Sequence, residues 1–137
     1  MNPEQEARIR SVLEDADSVR FAYLFGSEAL GRAGATSDID IGVFLDPALS
    51  NEDRFDLRLR LIAKLVPAVA PKPVDLIVLN NAPPALAFSV LSTGQLLFCR
   101  EPLLRFDFAW KSLARYHDRR FYDRRYTRLA LVRNSIP

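Results

Sequence analysis

Cysteine and histidine are almost missing from this chain of 137 residues, which has one of each, Cys99 and His117. A lone cysteine excludes an intramolecular disulfide and a thiolate zinc cluster. A lone histidine excludes a histidine-rich metal centre, so any bound metal must rest on oxygen ligands. Long apolar runs are missing as well, and none approaches the roughly 20 residues that a membrane-spanning helix needs. The opening stretch MNPEQEARIR is polar and has no apolar centre of the kind a signal peptide carries. These absences lead to the expectation of a cytoplasmic protein. No internal repeat, low-complexity tract or linker divides the chain, so a single domain over residues 1–137 is expected. A globule of this length buries roughly two-thirds of the surface its unfolded chain exposes, and needs no staples. With 49% hydrophobic and 26% charged residues, the composition is that of an ordinary soluble protein. The net charge of +2 is too small to argue by itself for nucleic acid as a partner, although most of the surplus falls after Arg100.

The elements follow from periodicity and punctuation. Ile9, Val12 and Leu13 lie at helical spacing within residues 3–16. Val19 to Phe25 is apolar and aromatic, too short for a typical helix and stopped by Gly26, so it is expected to be a buried strand. Ser27 to Leu30 would start a short helix, and Gly31 to Thr36 a loop. Strict alternation over Ser37–Leu45 predicts a second strand, with Asp38 and Asp40 on one face and Ile39, Ile41 and Val43 on the other. Residues 51–66 alternate in a way that would also suit a strand. Helix is preferred there, because Leu and Arg are good helix formers, Ser50 can cap, and Phe55, Leu59, Ile62 and Val66 form a helical stripe. Pro71 and Pro73 end that element. Val74–Leu79 is a third strand, Pro83-Pro84 opens a helix over 84–93 that Gly94 closes, and Gln95–Cys99 suits a short extra strand. Residues 103–132 read as a helical extension in one or two pieces. The fold expected is α/β: a small mixed sheet flanked by helices.

One constellation carries chemistry: Gly26-Ser27, ten residues, then Asp38-Ile39-Asp40. Gly26 ends a strand and allows a sharp turn and a close backbone approach to a ligand. Ser27 begins a helix, so its hydroxyl and the free N–H groups form a small anion site suited to a triphosphate. Asp38 and Asp40 project about 7 Å apart from one strand face, from the rise per residue of a strand. Bridged by cations, they could hold one or two Mg²⁺ ions against phosphate oxygens. Each part alone has a plain structural explanation, since Gly-Ser is ordinary turn chemistry and alternating acids are common on exposed strands. Their combination is more specific. Two unneutralised carboxylates side by side cost free energy unless a cation or water intervenes.

Leu24-Phe25-Gly26-Ser27-Glu28-Ala29-Leu30-Gly31-Arg32 followed by Ser37-Asp38-Ile39-Asp40 resembles the minimal nucleotidyltransferases of the polymerase-β-like superfamily. There the motif is Gly-Ser, a spacer and Asp-x-Asp, with a third acid on a later strand, a position that Asp75 matches. Val74 to Asn80, Pro83-Pro84, Gly94 to Phe98 and the aromatic, Arg-rich C-terminal helix further resemble the MntA-type antitoxins. The likeness extends over about residues 5–130. It implies that Asp38, Asp40 and Asp75 are catalytic and hold two Mg²⁺ ions, with Asp75 helping to deprotonate the acceptor. Gly26 and Ser27 would bind the phosphates of ATP. It implies as acceptor a tyrosine on a HEPN-domain ribonuclease toxin, a small helical protein encoded nearby, silenced by transfer of AMP within a hetero-oligomer.

Taken without the upstream motif, Asp75 would be a solvated acid at a strand edge. Arg32 lies near the phosphate site, but an exposed loop arginine is the simpler expectation. Lys111–Arg133 interleaves arginines with Tyr116, Phe121, Tyr122 and Tyr126, a pattern suited first to docking a protein, then to a solvated face, and last to nucleic acid. His117 has no neighbours suggesting a ligand. Two other functions use the same residues. A transferase acting on an antibiotic-like small molecule would need room for its acceptor, and this chain has little to spare. An assembly factor would neutralise its partner by binding alone.

Overall fold

The computed structural model describes residues 1–31 and 37–134, with side chains in the last helix as far as Asp118. Among the described residues the helices and strands follow one another as α1 (Pro3–Glu14), β1 (Val19–Phe25), α2 (Gly26–Ala29), β2 (Ile39–Leu45), α3 (Asn51–Val69), β3 (Val74–Val78), α4 (Pro84–Thr93), β4 (Gln95–Cys99) and α5 (Pro102–Asn134). Among the described residues the strands form one sheet in the order β3-β2-β1-β4. β1 runs antiparallel to β2 and β4, while β2 and β3 are parallel, so the sheet is mixed as expected.

Strand alternation sorts the core into two layers. Ala22 and Leu24 of β1, Ile39, Ile41, Val43 and Leu45 of β2, and Leu76 of β3 pack with Ile9 and Leu13 of α1 and Leu61, Leu65 and Val69 of α3. Phe21, Tyr23 and Phe44 point to the other face, against Ala87 and Val90 of α4 and Phe108 of α5. There Phe21 stacks on Phe44 with ring centroids 4.8 Å apart, and Phe108 closes the cluster at 5.2 Å from Phe44.

Local chemistry explains most boundaries. Asn2 caps α1 through the Gln5 N–H, and Pro3 occupies the first turn, where its missing N–H costs nothing. Ser50 caps α3 through the Asp53 N–H, as expected. The helix over 51–66 is correct, but the expected apolar stripe meets the core only at Ile62. Phe55, Leu59 and Val66 are exposed, and Leu57, Leu61, Leu65 and Val69, four residues apart, face the sheet instead. Both stripes are apolar at helical spacing, and only tertiary packing chooses between them. α3 also continues through Pro67 to Val69. Pro67 sits in the last turn, where its missing N–H withholds a bond from the Ala63 carbonyl alone.

Two strand limits differ from expectation. β2 begins at Ile39, so Asp38 lies just before the strand. β3 ends at Val78, where a 3₁₀ turn over Leu79–Asn81 takes over. In that turn the Asn80 side chain donates to the Leu45 carbonyl and accepts from the Leu45 N–H, completing the edge of β2 as a strand residue would. Gly94 does end α4, with no left-handed twist; a Cβ there would overlap the Val90 carbonyl oxygen. α5 is one helix.

Candidate active site

The candidate residues gather where β1 ends and β2 and β3 begin. Phe25, the last residue of β1, pairs with Asp40 on β2, and Asp40 pairs in turn with Asp75 on β3. Ile39 and Ile41 are buried on the α1/α3 side, as is Leu76, so alternation directs Asp40 and Asp75 together to the opposite face. Neighbouring strands lie about 4.8 Å apart, which makes these two carboxylates adjacent. Asp40 is half-buried, while Asp38 and Asp75 are exposed.

Gly26 meets Asp40 directly. Its φ of 72° is in the left-handed region, which costs glycine nothing. A Cβ at this position would overlap Oδ2 of Asp40 and lie 3.1 Å from its Cγ. The carboxylate therefore rests against the bare backbone of the turn. α2 starts there, and no side chain caps it among the described residues, so its first N–H groups are open to an outside acceptor. Ser27 is half-buried at this same end.

The electrostatics follow from the packing. Burial, then Asp75, then Asp38 push the Asp40 carboxyl above its usual range, and among the described residues no cation acts to offset them. A divalent ion on oxygen ligands would relieve that repulsion, so the donor set suits Mg²⁺ or Mn²⁺. Asp38 acts on Asp40 from outside the strand, and the three acids do not close into one compact cluster: among the described residues no group of three acidic, imidazole or thiolate side chains is placed to hold an ion.

Glu28 follows Ser27 directly but does not face the candidate phosphate site. It is turned inward and buried, paired with Lys72 Nζ and with the Met1 ammonium at 2.9 Å. Burial pushes its carboxyl up, but the Lys72 hydrogen bond and the Met1 ammonium outweigh that and hold it below the usual range. Nothing in the spacing of the sequence pairs positions 28 and 72. Arg32, expected near the phosphate site, lies outside the described residues, as do the side chains of Arg119 to Arg133. His117 has an outward-facing apolar and polar neighbourhood with Phe88 and Tyr116, whose rings stack 4.0 Å apart.

A family model, polymerase beta nucleotidyltransferase, matches residues 7–103, most of the chain and all of the candidate site. The chain belongs to the polymerase beta nucleotidyltransferase family. As a member of that family it is a nucleotidyltransferase, and its mixed sheet with flanking helices is the minimal form of the fold. Among solved structures, the nucleotidyltransferase is similar to a chain of a toxin–antitoxin complex with AMP-PNP, at 28% identity and a TM-score of 0.70, covering 92% of this chain and 98% of that one. It is similar at 26% identity and a TM-score of 0.64 to a chain of the MntA–HepT toxin–antitoxin, covering 93% and 97%. A third is a complex of a tri-AMPylated Shewanella oneidensis HEPN toxin with an MNT antitoxin: 26% identity, a TM-score of 0.65, and 93% and 96% coverage. No curated protein matches the nucleotidyltransferase by sequence. Among the described residues no helix is long and apolar enough to cross a membrane.

Proposed function

We propose that this nucleotidyltransferase is an antitoxin that transfers AMP from ATP to a tyrosine hydroxyl of a cognate HEPN toxin, in a Mg²⁺-dependent reaction. The observation that carries this reading is the contact of Gly26 with Asp40 beside Asp75, in a chain similar over nearly its whole length to chains of toxin–antitoxin complexes. Asp38, Asp40 and Asp75 are the residues that would hold the metal, which would supply Lewis-acid neutralisation of phosphate oxygens. The open N–H groups of α2 and the Ser27 hydroxyl donate to the β- and γ-phosphates and orient the triphosphate. Asp75, at the outer edge of the carboxylate pair, accepts the proton of the acceptor hydroxyl. The tyrosine oxygen attacks the α-phosphorus, the bond from that phosphorus to the bridging oxygen breaks, and pyrophosphate leaves with the electron pair. Partnership with the toxin places the enzyme with it, in the cytoplasm.

The test is incubation of the toxin with the antitoxin, Mg²⁺ and each nucleotide, followed by intact-mass measurement. ATP is expected to add AMP increments, and the Asp38→Ala, Asp40→Ala double variant to add none. An unchanged toxin mass under every nucleotide overturns the reading. A double variant that still protects cells in full would assign protection to binding alone.

The toxin's docking face is the outer side of α5. Leu103, Phe106, Trp110 and Leu113 are exposed there, Leu103 at 86% and Trp110 at 68%, while Leu104 and Phe108 turn toward the sheet. Their three–four–three spacing is that of a helix–helix seam, which fits a helical partner. A Phe106→Ser, Trp110→Ser variant is expected to lower affinity for the toxin at least about tenfold, the scale of losing buried aromatic anchors. AMP-PNP binding should be unchanged. Calorimetric titration of both ligands checks this, and equal loss for both would argue against a docking role.

A further inference from the structure

Lys72 is the basic side chain closest in sequence to the third acid, only three residues before Asp75. Its surroundings leave the side chain as the movable part. The Lys72 N–H bonds the Val69 carbonyl at 3.0 Å, and the Pro73 carbonyl accepts from the Ile39 N–H at 2.8 Å, so the backbone is tied to α3 and to the start of β2. A lysine ammonium on a flexible four-carbon stem is a mobile point charge that pairs with any carboxylate in reach. Asp75 follows Lys72 by three residues and pairs with Asp40 across the sheet, and neither carboxylate is bonded to it. Glu28 is, from α2, with a side chain fully removed from solvent.

We propose that Glu28 is a positioning residue, which sequesters the Lys72 ammonium away from the Asp40 and Asp75 carboxylates. The inference rests on the reading that Asp38, Asp40 and Asp75 receive a metal–nucleotide complex. A free ammonium at the start of β3 would compete with that cation for the same oxygens. It would also neutralise the negative field that draws the cation in. The buried pair therefore leaves the acids uncompensated by protein and available to metal.

The experiment measures the affinity of untagged protein for Mn²⁺·AMP-PNP by calorimetry, with circular-dichroism melts to confirm folding. Glu28→Gln is expected to weaken binding about tenfold, the lower end of the loss when a residue behind metal ligands is changed. Lys72→Met is expected to bind as well as wild type, since Glu28 keeps the Met1 ammonium as partner and the fold is retained. The Glu28→Gln, Lys72→Met double variant is the decisive arm. Removing the released Lys72 ammonium, while the amide oxygen at position 28 still accepts from the Met1 ammonium, is expected to return affinity to within about threefold of wild type, as for coupled neighbours in a double-mutant cycle. A merely structural role predicts the opposite, a double variant at least as weak as Glu28→Gln. That result, or Glu28→Gln binding like wild type, overturns the proposal. Wild-type protein that binds no Mn²⁺·AMP-PNP overturns the underlying functional reading instead, and the two failures are thus distinct.

Discussion

Asp40→Asn is expected to abolish AMP transfer while making the metal-free protein more stable at neutral pH. Asparagine keeps the size of the side chain and the fit against Gly26, so the change is one of charge. Loss of the central negative charge removes a carboxylate that would bind the metal, and a rate loss of at least about a thousandfold, roughly 4 kcal/mol of barrier, is expected. The stability effect has the other sign. Burial and the charges of Asp75 and Asp38 raise the Asp40 carboxyl above its ordinary value of 3.8, so the folded chain holds this proton more tightly than the unfolded chain. Below the unfolded value both states are protonated and no penalty exists. As pH rises through the folded value, the native state must ionise a group its surroundings oppose, and the penalty is full at neutral pH. Asp40→Asn removes it, so the Tm difference from wild type should be positive at pH 7.5 and close to zero near pH 3. Added Mg²⁺ should raise the wild-type Tm and leave the variant unmoved. Melting curves at both pH values, with and without the ion, check each part, and a lower Tm for the variant at pH 7.5 would assign Asp40 a structural role.

That opposition between stability and catalysis is the physical content of the motif, and it was partly legible in the residues alone. Alternation in Ile39–Val43 gave the buried face, and with it the direction of Asp40. The bounded apolar runs located β1, β2 and β3, and Ser50 marked the start of α3. What alternation cannot give is register. The pairing of Asp40 with Asp75 needs β2 and β3 to be parallel neighbours. That depends on the crossover through α3, a connection long enough to return the chain in the same direction. The choice of apolar stripe on α3 failed for a related reason. Phe55, Leu59 and Val66 have the right spacing, and nothing local says that Leu57, Leu61 and Leu65 will be the side that meets the sheet. Glu28 was hidden still more completely. A carboxylate in the first turn of a helix suits the helix dipole wherever it points. Its buried pairing with Lys72 joins residues 44 positions apart.

Gly26→Ala should cost both stability and activity, and a comparison with Gly31→Ala separates the two causes. Both glycines have left-handed backbones, with φ of 72° and 68°. An L-residue held there costs about 1–2 kcal/mol, so each variant is expected to lose a few degrees of Tm from backbone strain alone. Their surroundings differ. A Cβ at Gly31 meets nothing within 4 Å, whereas at Gly26 it would enter the space of the Asp40 carboxylate. Asp40 must then swing away or the Gly-Ser turn must lift, and either motion separates the α2 N–H groups from the acids. A displacement near 1 Å in a positioned site costs on the order of a hundredfold in rate. Gly26→Ala is therefore expected to lose at least about a hundredfold in AMP transfer and to melt below Gly31→Ala, while Gly31→Ala retains activity within about threefold of wild type. The steady-state rates and melting temperatures of the two variants, measured side by side, decide the point. Equal activity losses would mean that backbone strain is the whole effect and that the contact between Gly26 and Asp40 does not set the geometry of the site.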